Sequence, residues 1–91
     1  MFIVISYDIT DDRRRDRIAK TLENYGKRVQ YSVFECNLDK PMLEMMIKEV
    51  SSIMNEDEDS VRIYRLCEEC KGKIKLYGKG EVTREEDVYI V

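Results

Sequence analysis

The sequence predicts an α+β domain whose elements follow the order β-α-β-β-α-β. Two observations support this order. Short β-branched or alternating apolar segments predict four strands, and apolar residues spaced three and four apart predict two helices between them. At 91 residues the chain has the length of one domain. We assign that domain to residues 1–91, with its core over 1–66 and a C-terminal extension over 67–91.

The first half of the domain begins with a nearly continuous apolar run at residues 2–7, which predicts a strand buried on both faces. Thr10 or Asp11 then caps a helix that runs to about Asn24, and Gly26 is expected to stop it. The apolar stripe of this helix consists of Ile18, Leu22 and Tyr25.

The second half continues with residues 27–37, which are rich in Val, Tyr and Phe and predict either two short strands joined by a tight turn or one strongly bent strand. Asp39 caps a second helix, with Pro41 in its first turn. Alternation at 61–66 predicts a half-buried strand. The apolar stripe of the second helix consists of Leu43, Met46, Ile47, Val50, Ile53 and Met54.

This order of elements is the ferredoxin-like βαββαβ sandwich, an antiparallel sheet with both helices on one face. Residues 67–87 are polar and glycine-punctuated, with a short strand possible at 73–77. The apolar terminus at 88–91 predicts an extra C-terminal strand. Because a small domain leaves a sheet edge exposed, this tail strand could join its own sheet or that of a partner subunit, and we expect a homodimer.

The composition excludes several classes of protein. No apolar run is long enough for a transmembrane helix, and the start of the chain does not resemble a signal peptide, so we expect a cytoplasmic protein without membrane contact. The three cysteines are an odd number, which argues against a disulfide framework. Cys67 and Cys70 could be half of a zinc site or a redox pair, but no histidine or second CxxC completes four ligands.

The charge distribution favours an anionic ligand despite a net charge of −3. Residues 1–30 carry seven Lys or Arg against five Asp or Glu, whereas the acidic residues concentrate in the middle of the chain. The acidic run at 56–59 predicts a solvated loop. An arginine cluster at 13–17 opens the first helix, where it opposes the helix dipole, so a bound anion explains it better than helix stability does.

Asp8 stands at the end of the first strand, just before these arginines. A carboxylate in this position can hold a divalent metal while guanidinium groups grip phosphates, an arrangement that suits phosphodiester chemistry. Asp8 could instead hydrogen-bond the backbone of residues 9–11. A two-fold axis near Asp8 would bring two carboxylates together around one Mg²⁺ or Mn²⁺ ion.

Several motifs together strongly resemble the small CRISPR-associated protein two family. The most specific is Arg-Val-Gln-Tyr-Ser-Val-Phe-Glu at 28–35, and Tyr-Asp-Ile-Thr-Asp-Asp at 7–12 is the second. Further matches are Arg-Arg at 14–15, Arg-Ile at 17–18, Tyr-Gly at 25–26 and Tyr-Gly-Lys-Gly at 77–80. The resemblance covers essentially the whole chain.

The resemblance implies a metal-dependent endonuclease that cuts single-stranded RNA or double-stranded DNA. It also implies a homodimer in which the tail strand of each subunit joins the partner's sheet, and which acts with the CRISPR integrase, protein one of the system, in spacer acquisition. Asp8 of both subunits would share one Mg²⁺ or Mn²⁺ ion. The positions implicated in activity are Asp8, Tyr7, Arg15, Arg17, Arg28 and Phe34. The residues expected to bind nucleic acid are Arg13, Arg14, Arg15, Arg17, Arg28 and Lys79.

Alternatives stay open at this point. The chain could be a non-catalytic DNA-binding scaffold of the integrase complex, or an mRNA-cutting toxin of the virulence-associated protein D type. Tyr7 and Phe34 could be core residues, and Arg17 could pair with Asp16 or Glu23. The chain has no histidine, so a carboxylate such as Asp11 or Asp12, or water on the metal, would have to serve as the base.

Overall fold

The part of the chain that the structure describes forms four strands and three helices. A computed structural model describes residues 1–80 and 82. Its elements are β1 (Phe2–Asp8), α1 (Asp12–Glu23), β2 (Lys27–Gln30), β3 (Val33–Asn37), α2 (Lys40–Ile53), β4 (Ser60–Leu66) and the short α3 (Glu68–Lys71). The predicted helix starts are confirmed, because Asp11 caps α1 and Asp39 caps α2, each accepting a hydrogen bond from a backbone N–H three residues on.

The sheet has the strand order β2-β3-β1-β4 and is antiparallel throughout. α1 and α2 cover one face of it, so the predicted ferredoxin-like arrangement is confirmed. Residues 27–37 form two strands, with Tyr31 and Ser32 between them and a bulge at Val29. The core consists mainly of Ile3, Ile5, Tyr7, Ile18, Leu22, Phe34, Cys36, Leu43, Met46 and Val50.

Two details of burial differ from the sequence-based prediction. β1 is not buried on both faces: Val4 and Ser6 are half-buried, because the helices cover only one side of the sheet. In α2, Ile47 is 38% exposed. The buried stripe runs through Leu43, Met46 and Val50, and Ile47 lies at its edge.

The C-terminal extension departs most from the prediction. Residues 74–77 form no strand. The backbone N–H of Lys73 donates to the carbonyl of Cys70, and that of Ile74 donates to Lys71, so the chain leaves α3 through a tight turn rather than in an extended conformation. The predicted tail strand at 88–91 lies outside the described residues. No helix within the described part of the chain is long and apolar enough to cross a membrane.

Gly26 has a different role from the predicted helix stop. Asn24 caps the C-terminus of α1, and Gly26 does not adopt a positive φ. Instead, the backbone of Gly26 lies directly against β3. A Cβ atom at this position would be 2.3 Å from both the sulfur of Cys36 and the carbonyl oxygen of Glu35. Glycine is therefore needed here for the close approach of two backbones.

All three cysteines are free. Cys36 lies in the core, where burial raises the pKa of its thiol to about 12. Cys67 and Cys70 are exposed at the start of α3, and the backbone N–H of Cys70 donates to the sulfur of Cys67 at 3.4 Å. Residues 1–80 and 82 contain no group of three or more His, Cys, Asp or Glu side chains that could hold a metal ion.

Candidate functional site

Asp8 ends β1 on the face of the sheet that the helices leave open. Side chains alternate along a strand, so the buried Tyr7 faces the helices while Asp8 faces away from them and is exposed. Asp8 pairs with Ser60 of β4. Its side chain forms no hydrogen bond or ion pair with any other residue of the described ranges, and the capping role that it might have had belongs to Asp11.

A polar groove of about 270 Å³ surrounds Asp8. Its lining residues are Ser6, Tyr7, Asp8, Ser60, Arg62 and Tyr64. Arg62 was missed by the sequence-based reasoning. It pairs with Ser6, two positions before Asp8, so its exposed side chain projects from the same face as the Asp8 carboxylate. The neighbouring Tyr64 hydroxyl raises the pKa of Arg62.

On the helix side of β1, the structure brings together three of the predicted activity residues. The Tyr7 hydroxyl donates to the carbonyl of Tyr31 at 3.4 Å and accepts from Arg28 at 3.2 Å. The rings of Tyr7 and Phe34 are 6.3 Å apart. Phe34 is 0% exposed, so it supports this region from the core and has no surface with which to touch a substrate.

Arg15 and Arg28 flank the same end of β1. The guanidinium of Arg15 donates to the carbonyl of Ile9 at 3.0 Å, one residue beyond Asp8, and forms an ion pair with Asp12. The hydrogen bond to Asp12 raises the pKa of Arg15, and the one to the Tyr7 hydroxyl raises that of Arg28. Two cationic groups therefore stand at fixed positions beside the strand that carries Asp8.

Arg14 is engaged within the protein. Its guanidinium donates to both carboxylate oxygens of Asp59, at 2.8 and 3.2 Å, and to Glu58 at 2.8 Å. The prediction of a solvated loop at 56–59 is thus wrong for Asp59, whose side chain is 0% exposed. Because Asp59 directly precedes Ser60, this ion pair fixes the start of β4 beside Asp8. Arg14 is accordingly less available to a phosphate than the sequence suggested.

The Arg14–Asp59 pair predicts a loss of stability in acid. The guanidinium of Arg14, with the backbone N–H of Asn55, holds the pKa of Asp59 below its usual value of 3.8. A lowered folded-state pKa stabilises the protein above about pH 4, and this contribution disappears as the pH falls below that value. Between about pH 5 and about pH 2, the melting temperature of the wild type should fall by several degrees more than that of Asp59→Asn. Parallel curves would contradict this expectation.

The remaining basic residues predicted to bind nucleic acid lie apart from this pair. Arg13 and Arg17 are exposed on α1, and neither forms an ion pair with a residue of the described part of the chain, so the alternative pairing of Arg17 is not observed. Lys79 lines a shallow pocket of about 290 Å³ beside β2. Its other lining residues are Lys27, Arg28, Val29, Leu76 and Gly80.

The residues around Asp8 fit a weakly held divalent ion. Mg²⁺ in proteins commonly keeps several waters and takes only one or two carboxylates. One chain offers the Asp8 carboxylate and the hydroxyls of Ser6 and Ser60, which line the same groove. This donor set suits Mg²⁺ or Mn²⁺ if a second carboxylate is supplied from outside the chain.

The fold and the site together define a small ferredoxin-like protein with an exposed strand-end carboxylate and arginines near the same strand end. The family model of CRISPR associated protein Cas2 matches residues 1–74, and the chain belongs to that family. The resemblance seen in the sequence motifs is thereby confirmed.

Curated relatives match along the whole chain. A protein of Chloroflexus aurantiacus named CRISPR-associated endoribonuclease Cas2 1 is 44% identical over 93 residues, with 100% of both chains covered. A protein of Halalkalibacterium halodurans named CRISPR-associated endonuclease Cas2 is 40% identical, with 99% of both chains covered.

Solved structures show the same fold. Cas2 of Streptococcus pyogenes superposes with a TM-score of 0.77 at 29% identity, covering 86% of this chain and 100% of that one. A chain of a partial Cas6-RT-Cas1–Cas2 complex superposes with a TM-score of 0.70 at 27% identity, covering 81% of each chain.

Proposed function

We propose that this protein is a metal-dependent endonuclease of CRISPR spacer acquisition that cuts single-stranded RNA, double-stranded DNA or both. The observation that supports this most is the exposed Asp8 carboxylate, which has no partner among the described residues and shares a polar groove with Arg62. The names of the relatives, endoribonuclease and endonuclease, support the same class of reaction.

Each residue of the site has a distinct part in this proposal. Asp8, with Asp8 of the partner subunit in a homodimer, would hold Mg²⁺ or Mn²⁺. When bound, the ion would supply Lewis-acid stabilisation of the charge that develops on the phosphate. Arg62 lies in the groove and would bind a phosphate next to Asp8. Arg15 and Arg28 would hold neighbouring phosphates at the strand end, and the exposed Arg17 would extend that contact along α1.

The site has few groups for proton transfer. The chain contains no histidine, and both carboxylates considered as bases are engaged: Asp11 accepts the capping hydrogen bond from Arg14, and Asp12 is paired with Arg15. A general base usually contributes a factor of about 10² to 10⁴ to the rate. We therefore expect slow cleavage.

Metal removal tests the proposal directly. Purified protein is incubated with labelled single-stranded RNA and with duplex DNA, in Mg²⁺, in Mn²⁺ and after chelation with EDTA. We expect cleavage with either metal and none after chelation, with recovery when the metal is restored. Cleavage that persists in EDTA would contradict a metal-dependent reaction, and the absence of cleavage under every condition would contradict the nuclease assignment.

A scaffold function in the integrase complex is the second candidate. The structural similarity to a chain of a Cas1–Cas2 complex favours it, as does the basic pocket that Lys79 forms with Lys27 and Arg28. In this role the homodimer would bind duplex DNA and the CRISPR integrase without cutting. Duplex binding would then depend on Arg17 and Lys79 and fall with added salt, while Asp8 would be dispensable.

A further inference from the structure

Tyr31 occupies the turn between β2 and β3 and is 69% exposed. Nothing in the sequence-based reasoning singled it out, and Tyr7, Arg15 and Arg28 all converge on it. We propose that Tyr31, Arg15 and Arg28 form a binding site for an unpaired nucleotide, whose base stacks on the Tyr31 ring while the two guanidiniums hold the adjoining phosphates. We call this group of three residues the Tyr31 platform.

Both arginines lie over the Tyr31 ring, but at long range. Their guanidinium carbons lie 5.9 Å (Arg15) and 6.0 Å (Arg28) from the ring centre, at the outer limit of a cation–π contact. The exposure of Tyr31 shows that a large part of its ring remains open to solvent. An exposed aromatic ring with cations close to it is the arrangement that single-strand-binding proteins use for bases and backbone.

The arginines are held in place before any ligand arrives. Arg15 is fixed by the carbonyl of Ile9 and by Asp12, and Arg28 by the Tyr7 hydroxyl and by the ring of Phe34, 5.4 Å away. These contacts use only some of the five N–H donors that each guanidinium carries. The remaining donors can bind phosphate oxygens, and little side-chain entropy is lost because the side chains are already ordered.

The backbone turn that carries the Tyr31 ring is also held in place. The backbone carbonyl of Tyr31 accepts from the Tyr7 hydroxyl, which anchors the turn to the core. Gln30 pairs with Val33 on either side of the turn, so the two-residue connection cannot shift its register easily. An exposed aromatic side chain on an anchored turn provides stacking area at a low entropic cost, because the backbone is already ordered.

The ligand is single-stranded because a paired base already stacks on its neighbours within the duplex. Every base can stack on an aromatic ring. The platform should therefore distinguish single-stranded from double-stranded nucleic acid, but it should not select a particular sequence. This inference rests on one part of the proposed function, namely that the chain binds nucleic acid. Cleavage and metal are not required, so all measurements can be made in EDTA.

The experiment uses Tyr31→Trp as a reporter. The chain has no other tryptophan, so the fluorescence of this variant reports on the platform alone. It is titrated with a single-stranded RNA, a DNA of the same sequence, the blunt duplex of that DNA, and a single strand that lacks bases at its centre. We expect the single strands to quench the tryptophan fluorescence, and the duplex and the abasic strand to quench it little. The comparison of RNA with DNA shows which sugar is preferred. Equal quenching by the duplex or by the abasic strand would overturn the proposal.

Affinities of full-length variants complete the test. Tyr31→Ala should weaken single-strand binding about tenfold without changing its salt dependence, since one base–aromatic stack is lost and no charge is removed. Tyr77→Ala is the matched control, because Tyr77 is 86% exposed and has no arginine beside its ring among the described contacts. Arg28→Gln should lower the salt slope by about 0.7.

The outcomes separate this inference from the proposed function. If wild type and Tyr31→Ala bind single strands equally, the platform is wrong while nucleic-acid binding stands. If the wild type binds no nucleic acid at all, both proposals fail. Equal losses of single-strand affinity in Tyr31→Ala and Tyr77→Ala would also overturn the platform, because the effect would then not be specific to Tyr31.

Discussion

Asp8→Asn should reduce divalent-dependent cleavage by about a hundredfold or more. Asparagine has nearly the same shape as aspartate but no charge, so it cannot supply the anionic ligand that a divalent ion needs. Among the lining residues that the structure describes, Asp8 supplies the one carboxylate of the groove, with the hydroxyls of Ser6 and Ser60 as the other small oxygen donors. No other acid lines the groove within residues 1–80 and 82, so the loss should be close to complete in both Mg²⁺ and Mn²⁺.

The fold should survive this substitution. Asp8 is exposed, and its side chain makes no contact with the described residues that the amide would break. Asp16→Asn is the matched control, since it removes the same charge from an exposed position on α1. Cleavage rates and melting temperatures are measured for all three proteins. Equal cleavage by the wild type and Asp8→Asn would contradict a role for this residue in the reaction.

Gly26→Ala should lower the free energy of unfolding by about 3 kcal/mol, the upper part of the range for inserting a methyl group into a packed site. The new Cβ would meet the Cys36 sulfur and the Glu35 carbonyl oxygen, each at 2.3 Å. The sulfur belongs to a fully buried side chain and the oxygen to the backbone of β3, so neither can move aside cheaply. Relief would require the start of β2 to separate from β3.

The control for this variant is Gly72→Ala. A Cβ at Gly72 would lie 3.4 Å from its nearest neighbour, the carbonyl oxygen of Glu69, and Gly72 is exposed. Urea denaturation of both variants and the wild type gives the free energies. Gly72→Ala should change stability by less than about 0.5 kcal/mol. Equal losses in the two variants would show that the contact with β3 is not the cause.

Much of the fold could be predicted from the sequence because its signals are local. The capping aspartates, the spacing of apolar residues in α1 and α2, and the alternation along β4 each depend on a few neighbouring positions. The place of Asp8 at a strand end was predictable for the same reason. The irregular path of 74–77 was not, since short apolar segments with lysines fit a strand or a turn equally well.

The parts of the site that could not be predicted depend on long-range contacts. Arg14 meets Asp59 across 45 positions of sequence, and nothing in the acidic run at 56–59 distinguishes the one carboxylate that is buried. The place of Arg62 beside Asp8 could be inferred only from the register of β4 against β1. Tyr31 is one exposed aromatic residue among several, and only the contacts of Arg15, Arg28 and Tyr7 single it out.

The bulge at Val29 limits how this chain can change in length. Arg28 pairs with Phe34 and Gln30 with Val33, so Val29 is one residue more than a regular ladder would hold. That extra residue sets the offset between Arg28 and the turn that carries Tyr31. Substitutions at Val29 leave the offset intact, whereas a deletion or insertion between Arg28 and Val33 shifts one side of the hairpin against the other. At Val29, the presence of a residue therefore matters more than its identity.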